Sequence, residues 1–181
     1  MANVNPFHDL TTAHVADACI RVGAAVRCAP AAVRAVLPKA SRAAGLAGIV
    51  IWGLHRDTAD LDPIGLPVFS MGSIPTGPLA LTDRHPDGLA SARVGEWIVT
   101  TDDYVVADRD GVLFIPAART GEIAEAATAI RDTERRQAEQ IRQGTSLRAQ
   151  LRFADYLAAR TADPALTFRA HLRAANAAIE E

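Results

Sequence analysis

Two adjacent residues, Arg56 and Asp57, have the side chains best suited to chemistry in this sequence. They follow a short apolar run that predicts a strand, and α/β sheets place ligand-binding groups just beyond the carboxyl ends of their strands. The carboxylate of Asp57 can ligate a hard divalent cation through oxygen. The guanidinium of Arg56 can bind a carboxylate in bidentate fashion or stabilise an enolate oxygen. The alternative interpretation is a surface ion pair or a loop-stabilising aspartate.

Two other motifs around acidic residues have simpler explanations. His55-Arg56-Asp57 matches the catalytic-loop tripeptide of protein kinases, but that pattern requires Asn where this sequence has Asp62, and the chain has no glycine-rich phosphate loop. We therefore exclude a kinase. The run 108–111 resembles the start of a calcium loop, yet the later acidic ligands are missing. Its Asp-Gly pair indicates the turn of a β-hairpin instead.

Two other groups of residues are weaker candidates for a site. His14, Asp17 and Cys19 lie at near-helical spacing, which is compatible with a metal or nucleophile site, but a buried thiol on an apolar helix face explains Cys19 better. The glycine- and proline-containing run 72–77 is compatible with an anion-binding loop. A single loop of this kind is weak evidence by itself.

The composition excludes several classes of protein. The chain has 181 residues, of which 49% are hydrophobic and 22% charged, as is typical of a globular protein. A net charge of −2 provides no basic excess for nucleic acid or a membrane, and no apolar run approaches the ~20 residues of a membrane span. We expect a cytoplasmic protein. Cys19 and Cys28 are too few for a disulfide framework, and a single lysine, Lys39, disfavours Schiff-base chemistry.

The elements that position Arg56 and Asp57 follow from the hydrophobic pattern. A first helix begins at Thr11 or Thr12 and carries an apolar stripe through Val15 and Cys19. A helical turn is predicted over 58–61, and residues 24–44 have no clear assignment. Short β-branched or apolar runs predict strands at 48–53, 67–70, 96–100, 104–107 and 112–115. The first of these is predicted to be fully buried.

The character of the sequence changes after Pro116. Residues 119–143 predict a long helix with Ile123, Ala127 and Ile130 on one face, and Gly144 ends it. Helical pattern resumes over 147–160 and 167–179. We therefore predict an α/β core at 1–116 and a helical C-terminal extension at 117–181. We expect this extension to pack on a neighbouring subunit, since the core is small for it.

Four segments of the sequence together resemble a known family. They are Leu10–Ala18, Ala43–Asp57, Leu66–Ser70 and Ala107–Pro116. In this order and spacing they resemble the RraA-like family, which contains 4-hydroxy-4-methyl-2-oxoglutarate aldolases that also decarboxylate oxaloacetate, and regulators of ribonuclease E activity. The resemblance covers residues 10–143 and extends to a tail found in one subgroup.

The resemblance implies a fold, an activity and a set of site residues. The fold is a three-layer β/β/α swivelling domain of the α/β class, assembled as a homotrimer or a dimer of trimers with active sites between subunits. The aldolases are class II lyases that cleave short 2-keto acids to pyruvate with Mg²⁺ or Mn²⁺. By resemblance Asp57 is a metal ligand, and Arg56 contacts the keto or enolate oxygen of the substrate. Glu134 corresponds to a glutamate that approaches the metal of the adjacent subunit through water.

The sequence also departs from the family pattern. An acidic residue after a glycine is expected 21 positions before the arginine, where this chain has Ala35 preceded by Arg34. Roughly 60 residues, on the order of two βα units, are missing near 38–43. Two alternatives to the aldolase therefore stay open. One is a catalytically inactive binding or regulatory protein, and the other is a shortened form of a longer enzyme.

Overall fold

The computed structural model describes residues 5–37, 46–77, 83, 88 and 90–175, and within these ranges helices and strands combine in an α/β fold. The strands, in chain order, are β1 (Arg34–Leu37), β2 (Ile49–Val50), β3 (Val68–Ser70), β4 (Ser91–Val94), β5 (Trp97–Thr100), β6 (Asp103–Ala107) and β7 (Val112–Pro116). The helices are α1 (Thr12–Arg21), α2 (Thr58–Ile64), α3 (Thr120–Arg142), α4 (Leu147–Gln150), α5 (Phe153–Ala162) and α6 (Phe168–Ala174). The predicted fold class, α/β with C-terminal helices, is confirmed.

Within the described ranges the strands form three small sheets. In the first, β3 lies between β1, which is antiparallel to it, and β2, which is parallel to it. The other two are the hairpins β4–β5 and β6–β7. The β4–β5 turn requires glycine, because Gly95 has φ of 62° and an added Cβ would lie 2.6 Å from Cγ of Pro30. The predicted turn at 108–111 is confirmed by the hydrogen bond from the Asp108 amide to the Gly111 carbonyl, 3.0 Å long.

Strand β7 is buried on both of its faces and joins two hydrophobic clusters. Leu113 and Ile115 point into the first cluster, where they meet residues of α1 and α3. Val112 and Phe114 point into the second cluster, together with side chains of β3 and β4. This division follows from the alternation of side chains along a strand. Because both faces are covered, the strand is apolar at four consecutive positions.

Helix α1 is held at both ends by residues from distant parts of the chain. Thr11, one of the two threonines predicted as candidates, is its N-cap and forms a capping box with His14. The next residue, Thr12, donates from its amide and hydroxyl to the Asp108 carboxylate at 2.8 and 2.7 Å. At the other end, Nη2 of Arg119 donates to the Val22 carbonyl at 2.9 Å. These hydrogen bonds therefore fix the positions of both ends of α1.

The long predicted helix is confirmed as α3, with Ile123, Ala127 and Ile130 buried against α1 and β7. Its N-terminal half therefore contributes to the core, while the division of the chain at residue 116 stays a prediction. Gly144 follows the helix with φ of 94°, as expected for a helix stop. None of the described helices is both long and apolar enough to cross a bilayer.

The C-terminal helices differ in detail from the sequence prediction. The helix expected over 147–160 is interrupted, because Arg152 adopts a left-handed conformation between α4 and α5. Side chains of α5 and α6 then form a separate aromatic cluster of Phe153, Tyr156, Phe168 and His171. The described part of the last helix ends at Ala174, so the predicted continuation to residue 179 lies partly outside the described residues.

Two further predictions about strands were incorrect or incomplete. The run 48–53 forms a ladder only at Ile49 and Val50, and neither is fully buried. Trp52 is 47% exposed, so the expectation of a fully buried strand was wrong. In the unassigned region, 34–37 forms β1, whose partner β3 is more than thirty residues away. The predicted shortening near 38–43 lies outside the described residues.

The ion pair of Arg27 with Asp103 joins the loop before β1 to the start of β6, and it makes stability depend on pH. Hydrogen bonds from the Arg27 side chain hold the pKa of Asp103 below its ordinary value, and burial opposes this only in part. A carboxylate with a lowered pKa contributes stability above its unfolded pKa of about 4 and loses that contribution as the pH falls through its folded pKa.

We therefore predict that Asp103→Asn lowers the free energy of unfolding by about 1–3 kcal/mol at pH 7. The difference from the unchanged protein should shrink as the pH falls below about 4. Urea denaturation at several pH values measures this, with Asp102→Asn as the matched control, because Asp102 is exposed and precedes Asp103 directly. A difference that is constant from pH 7 to pH 3 would contradict the prediction.

Candidate functional site

The candidate site is built where two loops follow the parallel strands β2 and β3. Beyond the strands, the Met71 amide donates to the Gly53 carbonyl at 2.8 Å. The His55 amide then donates to the Gly72 carbonyl at 3.0 Å, and the Ile74 amide to the His55 carbonyl at 2.8 Å. These bonds continue the strand pairing into the loops. They bring the segment that carries Arg56 and Asp57 against the predicted glycine-containing loop.

His55 fixes the base of this site. It is only 6% exposed, and both of its ring nitrogens have hydroxyl partners. Nδ1 lies 2.8 Å from Oγ of Ser70 at the end of β3, and Nε2 lies 2.9 Å from Oγ1 of Thr58 in the first turn of α2. The Ser70 hydroxyl also donates to the Gly72 carbonyl. The imidazole therefore connects a strand, a helix and a loop directly behind Arg56.

Asp57 adopts a backbone conformation that few residues tolerate. Its φ and ψ are 62° and 33°, in the left-handed region. Such a conformation costs a non-glycine residue of order 1 kcal/mol, and Asp is among the residues that accept it most readily. Asp57 precedes α2 as its N-cap, yet its carboxylate makes no capping hydrogen bond. Oδ2 instead lies 3.1 Å from Nε of Arg56.

The guanidinium of Arg56 lies directly over Gly77. A Cβ added to this glycine would stand 2.5 Å from Nη1 and 3.4 Å from Cζ of Arg56. A side chain at this position would therefore displace the guanidinium from its place against the loop. The side chains of Arg56 and Asp57 are both more than half exposed. The site thus presents a cation and an anion side by side to solvent, with the guanidinium lying against the loop at Gly77.

The structure brings Arg56 and Asp57 together and places Glu134 in a different contact. Oε2 of Glu134 lies 3.0 Å from Nε2 of His14, which joins α3 to the start of α1. Because Nδ1 of His14 accepts from the Thr11 amide, a neutral His14 carries its proton on Nε2 and donates it to Glu134. No hydrogen bond or ion pair among the described residues joins Glu134 to Arg56 or Asp57 within one chain.

The remaining candidates from the sequence have structural roles. Cys19 is fully buried in the first cluster, as expected, and burial raises the pKa of its thiol. Asp108 caps α1 by accepting hydrogen bonds from the amide and hydroxyl of Thr12. Burial raises the pKa of the Asp108 carboxyl, but its hydrogen bonds outweigh burial and lower that pKa. In the part of the chain that the structure describes, no three His, Cys, Asp or Glu side chains are grouped as metal ligands.

Sequence reasoning missed the role of His55, which was considered only in the kinase motif. Its partners Ser70 and Thr58 are close in sequence, at fifteen and three residues. The signal was a histidine at the end of an apolar run, followed by a hydroxyl three positions later. The proximity of Gly77 to the Arg56 guanidinium had no signal in the sequence, because it depends on how the two loops pair.

Comparison with known proteins assigns the chain to a family. The family model described as RraA-like, Aldolase/RraA, matches residues 12–114. The chain belongs to the RraA-like family. This family includes aldolases and inactive regulators, so membership gives the fold and the general class of function. The three-layer RraA-like fold implied by the resemblance is thus confirmed.

Individual relatives agree with this assignment. Over 106 residues the chain is 33% identical to the uncharacterized protein MJ0644 of Methanocaldococcus jannaschii, covering 58% of this chain and 49% of that protein. The chain thus spans about half the length of the curated relative it matches.

Two crystal structures show the same fold at low identity. An uncharacterized protein from Pseudomonas syringae pv. tomato is 18% identical, with a TM-score of 0.63 over 78% of this chain and 92% of that one. A structure described as novel cellulases from microbes associated with the gut ecosystem is 14% identical, with a TM-score of 0.54 over 72% of this chain and 84% of that one. At these identities the similarity concerns the fold alone.

The hydrogen bonds of His55 predict that the site loops depend on it for stability. We expect His55→Ala to lower the free energy of unfolding by about 2–4 kcal/mol, because it removes two buried hydrogen bonds and leaves a cavity. Urea denaturation measures the change. His8→Ala is the matched control, since the His8 side chain is 76% exposed, and it should change stability by less than about 0.5 kcal/mol. Equal effects of the two substitutions would contradict this role.

Proposed function

We propose that this protein is a lyase that binds short 2-keto acids and cleaves them to pyruvate, as an aldolase or oxaloacetate decarboxylase. The observation that carries this proposal is the position of Arg56, over Gly77 and beside Asp57 at the ends of two parallel strands. A small anion at this edge of an α/β sheet meets the exposed guanidinium of Arg56. Membership of a family that includes aldolases supports the same activity.

Arg56 has the chemistry that a 2-keto acid requires. A guanidinium offers several N–H donors in a planar fork, which suits a carboxylate or the oxygen of an enolate. Its Nε is already directed at Asp57, so the outer nitrogens are the donors that we assign to the substrate. In cleavage, negative charge develops on the keto oxygen as the pyruvate enolate forms, and a positioned cation stabilises that charge.

Asp57 suits a divalent cation by the chemistry of its donor. Mg²⁺ is commonly held by one or two carboxylates, with water and substrate oxygens completing its shell, and Asp57 offers an exposed carboxylate that is not used as a helix cap. We propose Asp57 as the ligand that this chain provides for Mg²⁺ or Mn²⁺. When bound, such a cation polarises a keto oxygen as a Lewis acid. The ion pair with Arg56 orients the carboxylate.

Glu134 and the assembly complete the proposal. We propose that the protein forms a homo-oligomer, a trimer or a dimer of trimers, in which Glu134 approaches the metal of the adjacent subunit through water. Within one chain its carboxylate is 45% exposed and bonded to His14 through Oε2. A glutamate oriented by a histidine on one side can still accept a hydrogen bond from water on the other.

A catalytically inactive binding protein is the second candidate, favoured by the residue at position 35. The resemblance places an acidic side chain there, whereas Ala35 lies in β1 opposite Phe69 and has no polar atom to offer. The described residues of one chain also include no group of three metal-ligating side chains. A protein of this kind would act as a binding or regulatory member of the family, of the ribonuclease E regulator type, without cleaving 2-keto acids.

A coupled pyruvate-release assay tests the proposed activity. With Mg²⁺ or Mn²⁺, we expect turnover of oxaloacetate or 4-hydroxy-4-methyl-2-oxoglutarate above the rate with free metal. Arg56→Gln and Asp57→Asn should each reduce kcat/KM by about 100-fold, as expected for loss of a charge at the reacting atoms. Asp57→Asn is preferred to Asp57→Ala, because Asn also tolerates the left-handed conformation. Asp60→Asn, an exposed acid in the first turn of α2, is the control.

The same assay also tests the position of the Arg56 guanidinium against Gly77. Gly77→Ala should displace the guanidinium and raise KM, whereas Gly121→Ala, which meets only open space, should not. No turnover above free metal, or unchanged turnover in Asp57→Asn, would contradict the lyase. Metal-dependent pyruvate binding in calorimetry, lost in Arg56→Gln, would argue against the inactive regulatory protein, whereas the absence of both turnover and binding would favour it.

A further inference from the structure

The hydrogen bond between His55 and Thr58 closes a bridge over the two residues of the candidate site. Oγ1 of Thr58 lies 2.9 Å from Nε2 of His55, and the residues between them in the chain are Arg56 and Asp57. The two ends of the segment 55–58 are therefore joined by their side chains. Because Asp57 has a φ of 62°, the bridge encloses the left-handed residue of the site.

The His55 end of this bridge is anchored to the middle of a sheet. Strand β3 lies between β1 and β2, and its last residue, Ser70, is only 1% exposed. Oγ of Ser70 lies 2.8 Å from Nδ1 of His55, and the backbone of His55 is bonded to Gly72 and Ile74. The imidazole is therefore held both through its ring and through its backbone.

The direction of these hydrogen bonds follows from the single hydrogen of the Ser70 hydroxyl. That hydroxyl donates to the Gly72 carbonyl at 3.2 Å and accepts from the Gly72 amide at 3.1 Å. Nδ1 of His55 must then donate to Ser70, and a neutral imidazole with its proton on Nδ1 has an acceptor at Nε2. The Thr58 hydroxyl is therefore the donor in its hydrogen bond with Nε2.

Helix α2, which begins at Thr58, gains little from packing. It has seven residues, one of which is Pro63, and none of them is buried. A helix this short has little stability of its own in water. Its N-cap, Asp57, makes no side-chain hydrogen bond to it. The Thr58 hydroxyl thus gives the first turn of α2 a contact with the buried part of the site.

The backbone of Asp57 moves with this first turn. Its carbonyl accepts hydrogen bonds from the amides of Asp60 and Leu61, each at 3.0 Å. Without the bridge, the turn would be free to shift, and Asp57 would relax from its left-handed conformation to one that costs less. Its Oδ2 would then leave Nε of Arg56, which is 3.1 Å away in the structure.

We propose that Thr58 is a positioning residue of the site: its hydroxyl donates to Nε2 of His55 and thereby holds Asp57 in the left-handed conformation that places its carboxylate beside Arg56. Thr58 touches neither substrate nor metal and acts through the backbone of Asp57. The inference rests on the proposed function, because the residue that Thr58 positions is the proposed metal ligand. The alternative is a threonine that contributes to overall stability alone.

Two substitutions separate the hydroxyl of Thr58 from its shape. Thr58→Val retains the branched side chain and removes the hydroxyl, whereas Thr58→Ser retains the hydroxyl. Thr120→Val is the matched control, because Thr120 is likewise the first residue of a helix, α3, and its hydroxyl donates to the Ala117 carbonyl. Circular dichroism checks that each variant folds.

Binding of Mn²⁺ to the full chain is the first measurement, with electron paramagnetic resonance of the free ion as the readout. We expect Thr58→Val to raise the Kd for Mn²⁺ about five- to tenfold, as expected for the loss of one hydrogen bond. Thr58→Ser and Thr120→Val should each stay within about twofold of the unchanged protein. Excess Mn²⁺ should restore pyruvate release in Thr58→Val but not in Asp57→Asn, because only Asp57→Asn removes the ligand itself.

Hydrogen exchange tests the bridge without metal or activity. In Thr58→Val the amides of Asp60 and Leu61 should exchange about fivefold faster, because their acceptor is the Asp57 carbonyl. The amide of Val15, which donates to the Thr11 carbonyl in α1, should exchange at an unchanged rate. A change confined to α2 separates positioning of Asp57 from a loss of overall stability.

Nuclear magnetic resonance of the unchanged protein tests the direction of the bridge. At about pH 8, where an ordinary histidine is neutral, the ¹⁵N signals of His55 should show the proton on Nδ1. Nε2 should then be the unprotonated nitrogen, and its signal should shift in Thr58→Val and return in Thr58→Ser.

Three outcomes would overturn the proposal. One is an unchanged Kd for Mn²⁺ in Thr58→Val, and another is faster exchange in α1 and α2 alike, since Thr58 then contributes to overall stability alone. The third is a proton on Nε2 of His55, and this result remains decisive even if Thr58→Val does not fold. A lack of Mn²⁺ binding by the unchanged protein would instead contradict the proposed metal site, and the exchange rates and ¹⁵N signals would still test the bridge.

Discussion

Burial of β7 on both faces is the constraint on which the rest of the structure depends. Its alternating side chains belong to two separate clusters, so α1 and α3 must lie on one side and the smaller strands on the other. Ile115 and Phe114 are among the largest fully buried side chains. Truncating either of them would leave a cavity in the cluster to which it belongs. The hairpin turn after β6 then places Asp108 where it caps α1. One strand thus fixes the helical layer, the sheet layer and the connection between them.

The site depends on a second constraint, the pairing of two loops beyond β2 and β3. The ladder itself is only two residues long, so the loop hydrogen bonds and the buried His55 do most of the positioning. This arrangement explains why Asp57 can hold a left-handed conformation. Its carbonyl accepts the first hydrogen bonds of α2, from Asp60 and Leu61, which leaves the carboxylate to Arg56. The local strain is offset by bonds on both sides of the residue, and such strain is concentrated at functional sites.

Features that depend on neighbouring residues could be predicted from the sequence, whereas features that depend on long-range strand or loop pairing could not. The threonine cap of α1, the apolar stripe of α3 and the Asp-Gly turn are properties of neighbouring residues. The structure confirms all three and selects Thr11 from the two candidate caps. Strand β1 was missed because its pattern is short and its partner is distant. The adjacency of Arg56 and Asp57 was evident from the sequence. The close approach of Gly77 to Arg56 was not evident, because a glycine in a sequence does not show which side chain will lie against it.

The strand edges of β2 and β6 that border the cavity lined by Phe69, Val94 and Phe114 are less protected than the edges of β1 and β4. Proteins usually protect open strand edges with charges, prolines or bulges, because an unprotected edge pairs with other chains. β1 contains Arg34 and a register irregularity, and β4 contains Arg93. The middle of β6 has no such protection: Val105 is apolar and half exposed, and its backbone groups face an apolar cavity. Val50 of β2, which lines the same cavity, is apolar as well. The unprotected edges among the described residues thus border one cavity, whose lining includes Ala35 and Ala47, on either side of the point where the sequence departs from the family pattern.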